Sequence, residues 1–244
     1  MRLSRVYLDS PLALNAVISL PKEIAHYLSN VLRLRVDDEL LVFNSQQGEF
    51  RARVIAATKR AVDIELLEKK RDANDAAKQN SLSIHLSLGL SRGDRMDFAV
   101  QKSTELGVNE ITPIYTEYSE VRLKAERVEK KLKHWQNIAI SACEQSGRLD
   151  VPVIHKPINL MDLSLNESMN RWMLEPSGSD ALPQSIAEDN VVLLIGPEGG
   201  FSANEIDWAK GNGFQIVALG SRILRTETAP VAALAILQHK YGDM

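Results

Sequence analysis

The stretch from Val191 to Thr228 constrains the fold most. Two short apolar runs, Val191 to Ile195 and Phe214 to Leu219, each end in a glycine, Gly196 and Gly220, and a polar turn follows each. Runs this short, bounded by turn residues, suit strands buried on both faces, as in a parallel sheet. Between them Ser202 to Glu205 is an S-x-x-E capping box, with Phe201 and Ile206 placed as a hydrophobic staple. The helical pattern stops at Gly211-Asn212-Gly213. Strand, glycine loop, capped helix and strand make one βαβ unit. Ligands in open α/β sheets sit beyond the carboxyl ends of such strands. The segments Gly196 to Gly200 and Gly220 to Thr226 are therefore the first places to look for chemistry.

Upstream, the pattern changes near residues 71–80, a polar run without apolar periodicity that reads as a linker. Before it, several short strands alternate with turns: Val6 to Leu8 at an edge, Leu40 to Asn44, Phe50 to Val54, and Val62 to Leu66. A short helix from Lys22 to Arg33 carries Ile24, Leu28, Val31 and Leu32 on its apolar side. This pattern predicts a small β-barrel over residues 1–72. Arg51 and Arg53 point to a solvated basic strand face. After the linker, residues 73–244 read as an α/β domain with a mainly parallel sheet. Leu82 to Leu90 and Ile111 to Tyr115 are strands around a helix at 94–106. Val128, Leu132, Trp135, Ala139 and Ala142 mark one stripe of a long helix. Trp172 to Leu174 is a strand leading into Glu175 to Gly178. The last helix, about Ala229 to Tyr241, is apolar all round from Val231 to Leu237. A helix without a polar face is buried on every side, so a homodimer through it is expected.

Bulk properties exclude several classes. No apolar run reaches the 18 or more residues of a membrane span, and no signal-peptide core is present, so the protein is expected in the cytoplasm. Cys143 is the only cysteine, which rules out an intrachain disulfide. It reads as a small buried residue. His26, His85, His134, His155 and His239 show no metal-ligand spacing, so no metal is expected. The net charge is -3, but residues 1–72 hold 12 Lys+Arg against 10 Asp+Glu and the rest 17 against 22, a weak hint of a polyanion contact near the N-terminus. The glycine loop after Ile195 is neither the dinucleotide fingerprint nor a P-loop. A tight turn explains its glycines but not Glu198 in its middle. Glu227 suits a helix N-terminus, whereas Arg225 there is unfavourable unless an anion or ligand group lies nearby.

These residues carry a resemblance. IGPEGGFS, LGSRILRTETA, the run Gln101 to Tyr115 and the run Ile138 to Pro152 together resemble the 16S ribosomal RNA uracil-N3 methyltransferase family, one of the knotted SPOUT methyltransferases. The resemblance implies a PUA-like β-barrel RNA-binding domain before a SPOUT α/β domain with a trefoil knot, acting as a homodimer. It implies S-adenosyl-L-methionine bound by three loops: Leu174, Glu175 and Pro176; Ile195, Gly196, Pro197, Glu198, Gly199 and Gly200; and Leu219, Gly220, Ile223, Leu224, Arg225 and Thr226. Apolar side chains there would pack the adenine, and Glu198 would offset the sulfonium charge or bind a ribose hydroxyl. The implied reaction moves a methyl from sulfur to N3 of a uridine in 16S ribosomal RNA. That nitrogen must first lose its proton. Arg225 is the candidate for stabilising the resulting anion, with Glu198 and Glu227 as candidate bases. Because N3 lies on the Watson–Crick edge, the base must be unpaired or flipped out. Arg5, Arg33, Arg92, Lys102 and Arg148 are candidate RNA contacts. One departure is Tyr118, in a Thr116-Glu117-Tyr118-Ser119 run where the family usually has arginine. The competing readings are another SPOUT enzyme acting on transfer RNA and a non-catalytic RNA-binding protein.

Overall fold

The computed structural model describes residues 3–58, 61–75, 82–164 and 169–244. The chain divides into two compact units, Met1–Gln79 with Glu144–Asp150, and Asn80–Cys143 with Val151–Met244. Of the expected linker, Arg71 is the last residue of a strand, and residues 76–80 lie outside the described residues.

The first unit is built on strands β1 (Arg5–Tyr7), β2 (Val17–Ser19), β3 (Glu39–Asn44), β4 (Gly48–Ala57) and β5 (Val62–Arg71). They form one sheet in the order β1-β3-β4-β5-β2. The alternating residues Phe50, Ala52 and Val54 on β4, and Val62, Ile64 and Leu66 on β5, turn inward and are buried. Helix α1 (Lys22–His26) adds Ala25 to that core, and Leu28 follows it. The helix does not run on to Arg33 as its periodicity predicts. Tyr27–Val31 is a π turn in which Leu32 N–H donates to the Tyr27 carbonyl at 3.1 Å. The extra residue in that turn rotates Val31 off the apolar stripe, leaving it 62% exposed. Arg33 then leaves the helix at φ 57°.

Nor are Arg51 and Arg53 a free basic face. Arg51 pairs with Glu68 at 3.3 Å and Glu39 at 3.6 Å, and Arg53 with Glu65 at 3.0 Å. Deeper in the unit, Glu49 accepts from Arg5 Nε at 2.6 Å and from Arg71 Nε at 3.0 Å. Arg5 also donates to the carbonyls of Glu144 and Arg148, and its guanidinium lies 4.2 Å from the Phe43 ring centre. Arg71 donates to the Gly147 carbonyl. These bonds tie the 144–150 segment to the strands.

The second unit contains β6 (Ser83–Gly89), α2 (Gly93–Glu105), β7 (Glu110–Tyr115), α3 (Ala125–Ser146) up to Cys143, β8 (Val153–Ile154), β9 (Ile158–Asn159), β10 (Asn170–Leu174), β11 (Asn190–Ile195), α4 (Ala203–Gly211), β12 (Gln215–Val217) and α5 (Thr228–Tyr241). Its sheet runs β12-β10-β11-β6-β7-β8, with β9 also on β7, and every one of these pairings is parallel. Both faces are covered. The predicted alternation is clear on β6, where Ile84, Leu86 and Leu88 join a core with Trp135 of α3 and Leu234 of α5. Val192 and Leu194 of β11 face the other way, toward Ala209 of α4 and Phe214. Cys143 is fully buried.

Two details differ from the sequence pattern. The strands of the βαβ unit are not neighbours, because β10 lies between β11 and β12 and pairs with both. And β12 is shorter than its apolar run: Phe214 enters the core before the strand starts, and Leu219 lies beyond its end. Helix α5 buries Pro230, Ala233, Leu234 and Leu237, while Ile236 is 41% exposed. Within one chain, therefore, only part of this apolar helix is covered. Among the described residues no helix is long and apolar enough to cross a membrane.

Candidate active site

Chain direction sets where a site forms. β10, β11 and β12 run parallel side by side, so the loops leaving them emerge at one edge of the sheet. The chain passes from β11 over β10 to β12, and such a crossing point leaves a crevice at the carboxyl ends. A pocket of about 520 Å³ lies there.

Each loop is held by its own contacts. After β10, Glu175 N–H donates to the Val217 carbonyl at 3.1 Å, and Gly178 N–H turns back to the Glu175 carbonyl at 2.9 Å. After β11, the loop is wedged between neighbours. A Cβ on Gly89, at the end of β6, would lie 2.2 Å from Pro197 N, and one on Gly199 would lie 2.7 Å from Tyr118 Cβ. No side chain fits at either place. The capping box then starts α4: Ser202 N–H donates to Glu205 Oε2 at 2.8 Å and Glu205 N–H to Ser202 Oγ at 3.4 Å. Glu205 Oε1 accepts from Glu117 N–H at 2.8 Å, which ties the Thr116–Ser119 turn to the same helix start.

The pocket wall brings together every expected member of the three loops: Leu174 to Pro176, Ile195 to Gly200, Leu219 and Gly220, and Ile223 to Thr226. Glu227 lines it too. It occupies the N-cap position of α5, yet its side chain makes no capping bond, and Oε2 is buried without a hydrogen-bond partner among the described residues. Glu227 thus stands at the helix N-terminus as expected, but it does not cap the helix through its side chain. Instead the Arg225 carbonyl accepts from Thr228 N–H and Ala229 N–H, at 2.8 and 2.9 Å, while the Arg225 residue is exposed at the pocket. Glu198 accepts from Arg95 at 2.7 Å. Arg95, Phe201, Val217, Arg222 and Ala229 also line the pocket, and the motif reading missed them. Arg95 had a usable signal, since it follows the carboxyl end of β6, the strand beside β11.

The RNA-contact candidates fare differently. Arg5 and Arg148 are not free surface cations: their side chains are 6% and 11% exposed, and each has a carboxylate partner, Glu49 and Asp150. Burial of the ion-pair network in the first unit accounts for both. Arg33 is exposed. Arg92 is exposed and pairs with Glu120 at 2.9 Å, and Lys102 pairs with Glu105 at 2.8 Å. Neither Arg92 nor Lys102 lines the pocket.

Comparison with known proteins decides the family. An RNA methyltransferase domain matches residues 78–238, and an RNA methyltransferase PUA domain matches residues 20–67. The chain belongs to this RNA methyltransferase family. The ribosomal RNA small subunit methyltransferase E of Buchnera aphidicola (subsp. Schizaphis graminum) is 40% identical over all of this chain and 98% of its own length. That of Rickettsia conorii is 31% identical, covering 96% of this chain and 95% of its own. Among solved family members, the Neisseria gonorrhoeae ribosomal RNA small subunit methyltransferase E bound to S-adenosyl methionine aligns over 100% of both chains, with a TM-score of 0.90 and 36% identity. A Legionella pneumophila structure in complex with the bound cofactor SAM aligns equally fully, with a TM-score of 0.90 and 35% identity.

Proposed function

We propose that this chain is an S-adenosyl-L-methionine-dependent methyltransferase of small-subunit ribosomal RNA that methylates N3 of a uridine. The observation that carries this reading is the shared pocket formed by the three expected loops in a family whose relatives are solved with that cofactor. The pocket also suits the group. Its volume is within the range of small-molecule sites, Leu174, Ile195 and Leu219 give it apolar walls, and the unpartnered Glu227 oxygen is a ready acceptor. The trefoil knot belongs to the same reading.

Leu174 to Pro176, Ile195 to Gly200 and Leu219 to Thr226 would hold the cofactor, which supplies an electrophilic methyl on a sulfonium. The chain's own task is to prepare the acceptor. Uracil N3 carries a proton at neutral pH, and its lone pair becomes nucleophilic as that proton leaves. Glu227 is the better candidate to take it, because Glu198 is already engaged by Arg95. Arg225, exposed beside the pocket, would stabilise the negative charge left on the ring. Ile223, 83% exposed on the pocket wall, is an apolar surface against which a flipped base can rest. Phosphate contacts would fall to the exposed Arg33 and Arg92, with the half-buried Lys102 the other cation remaining of the original five. The homodimer through α5 completes the proposal, supported by the bare Ile236.

The deciding experiment offers labelled S-adenosylmethionine with small ribosomal subunits, their naked RNA, or transfer RNA, and maps the product by nucleoside mass spectrometry. N3-methyluridine from subunits or their RNA is expected. Label on transfer RNA would assign the other substrate class, and cofactor binding without any transfer would leave the fold reading standing and reopen the choice of substrate.

A further inference from the structure

The histidines of this chain have no metal-ligand spacing in sequence, but the sheet assembles what the sequence disperses. β6 and β7 pair in parallel with His85 opposite Glu110, and β7 pairs with β8 so that Ile111 faces Ile154. The next residue, His155, is thereby brought to the same corner. One nitrogen of each imidazole and one oxygen of Glu110 lie within 4.8 Å of one another. His155 Nε2 is 2.6 Å from Glu110 Oε2, and His85 Nε2 is 2.7 Å from Thr112 Oγ1. The two rings stand 5.7 Å apart, centre to centre.

We propose that His85, Glu110 and His155 form a binding site for one divalent transition-metal ion of the Zn²⁺ class. Two imidazoles and a carboxylate are a donor set that Zn²⁺ accepts, with solvent able to take a fourth position. Bonds of about 2.0–2.1 Å place tetrahedral ligands roughly 3.3 Å apart. The candidate ligand atoms, all within 4.8 Å of one another, already stand close to that spacing. The backbone need not move, since all three ligands are anchored on hydrogen-bonded strands or the residue just after one. The Thr112 hydroxyl fixes the His85 ring, the kind of neighbouring contact that orients a ligating imidazole. All three residues are only half-buried, so an ion has a path in. Glu110 opens β7 and His85 lies near the start of β6, so the site is at the amino ends of β6 and β7, with His155 just after β8, whereas the pocket is at the carboxyl ends of β10, β11 and β12. Its role is to clasp β6, β7 and the β8 segment together, apart from methyl transfer.

The test uses the full chain without an affinity tag, stripped with a chelator, and titrates Zn²⁺ against a chromogenic indicator. One equivalent binding at micromolar affinity or tighter is expected, with a higher Tm in the presence of the ion. His155→Ala and Glu110→Gln should each weaken binding at least tenfold and abolish the Tm increase. His134→Ala, whose imidazole pairs with Asp97 elsewhere, should bind as the parent does. The Tm without metal verifies that each variant folds. A parent that binds no equivalent of Zn²⁺, or folded His155→Ala and Glu110→Gln variants that bind like it, overturns the proposal.

Discussion

Glu227 and Glu198 are both carboxylates on one pocket wall, and their partners separate them. Glu198 already accepts from Arg95, whereas Glu227 Oε2 has no hydrogen-bond partner among the described residues and is open to a donor on the substrate. Glu227→Gln is therefore expected to lower single-turnover methyl transfer by about 10²-fold or more, the size of a lost general base. Cofactor affinity by calorimetry should stay within a few-fold. Unchanged transfer would remove Glu227 from the reaction. Arg225→Ala should likewise cost about 10²-fold in turnover, and normal turnover would remove that assignment. In the first unit, Glu49 is the residue on which stability turns. Burial alone would push its carboxyl up, but hydrogen bonds from Arg71 and Arg5 outweigh this and hold it below its ordinary value of 4.5. A carboxyl depressed by folding stabilises above its ordinary pKa, and that contribution is lost as pH falls through the lower, folded value. Glu144 has the opposite sign: burial raises it, against the Tyr7 N–H and Arg5. It favours the fold at low pH, and this contribution is lost as pH rises through its folded value. Glu49→Ala leaves the Arg5 charge buried and should cost about 3–5 kcal/mol in urea unfolding at neutral pH. A change under about 1 kcal/mol would show that the network contributes little.

Helix α4 is the element that turns a strand end into a site. Its capping box fixes the chain just after the glycine loop, and the same glutamate accepts from Glu117. Ser202→Ala should cost about 1 kcal/mol. Glu205→Ala should cost more, roughly 2 kcal/mol, because it removes the acceptor of the buried Ser202 N–H and of the Glu117 N–H together. Denaturant midpoints compare the two, and an inverted order would contradict the double role of Glu205. Close contact with Gly199 also gives Tyr118 a place: its backbone packs on the loop. Gly199→Ala must displace that contact and should weaken cofactor binding at least tenfold by calorimetry, while unchanged affinity would show that the loop gives way freely. Gly200→Val and Leu219→Arg test the same placement from inside the pocket.

At the scale of the whole molecule, α5 carries the expectation of a dimer. A single chain covers Leu234 and Leu237 but leaves Ile236 exposed. Sedimentation at micromolar concentration is expected to give a dimer mass, and Ile236→Glu to shift it toward the monomer. A monomeric parent would refute the arrangement. RNA affinity should fall steeply with salt if exposed cations meet phosphates, and a flat salt dependence would exclude them.

The local parts of this structure were legible because short-range physics writes them. A capping box, a staple and an alternating strand need only neighbours in sequence, and so α4, β6 and the β4–β5 alternation fall where the pattern puts them. The glycine loops could be picked out by the same logic, through the rule that ligands meet strand ends, and they do line one pocket. The rest depended on long-range pairing. Nothing local places β10 between β11 and β12, and that insertion is what joins the three loops around one pocket. Nothing local distinguishes a surface arginine from Arg5, whose acceptors on Glu49 and Glu144 lie 44 and 139 residues away. The meeting of His85, Glu110 and His155 is likewise a product of strand register. The sequence by itself determined most of the elements and the residue make-up of the loops. Tertiary structure alone decided which charges are buried and which side chains meet, because burial and pairing energies are set by neighbours that only the folded sheet supplies.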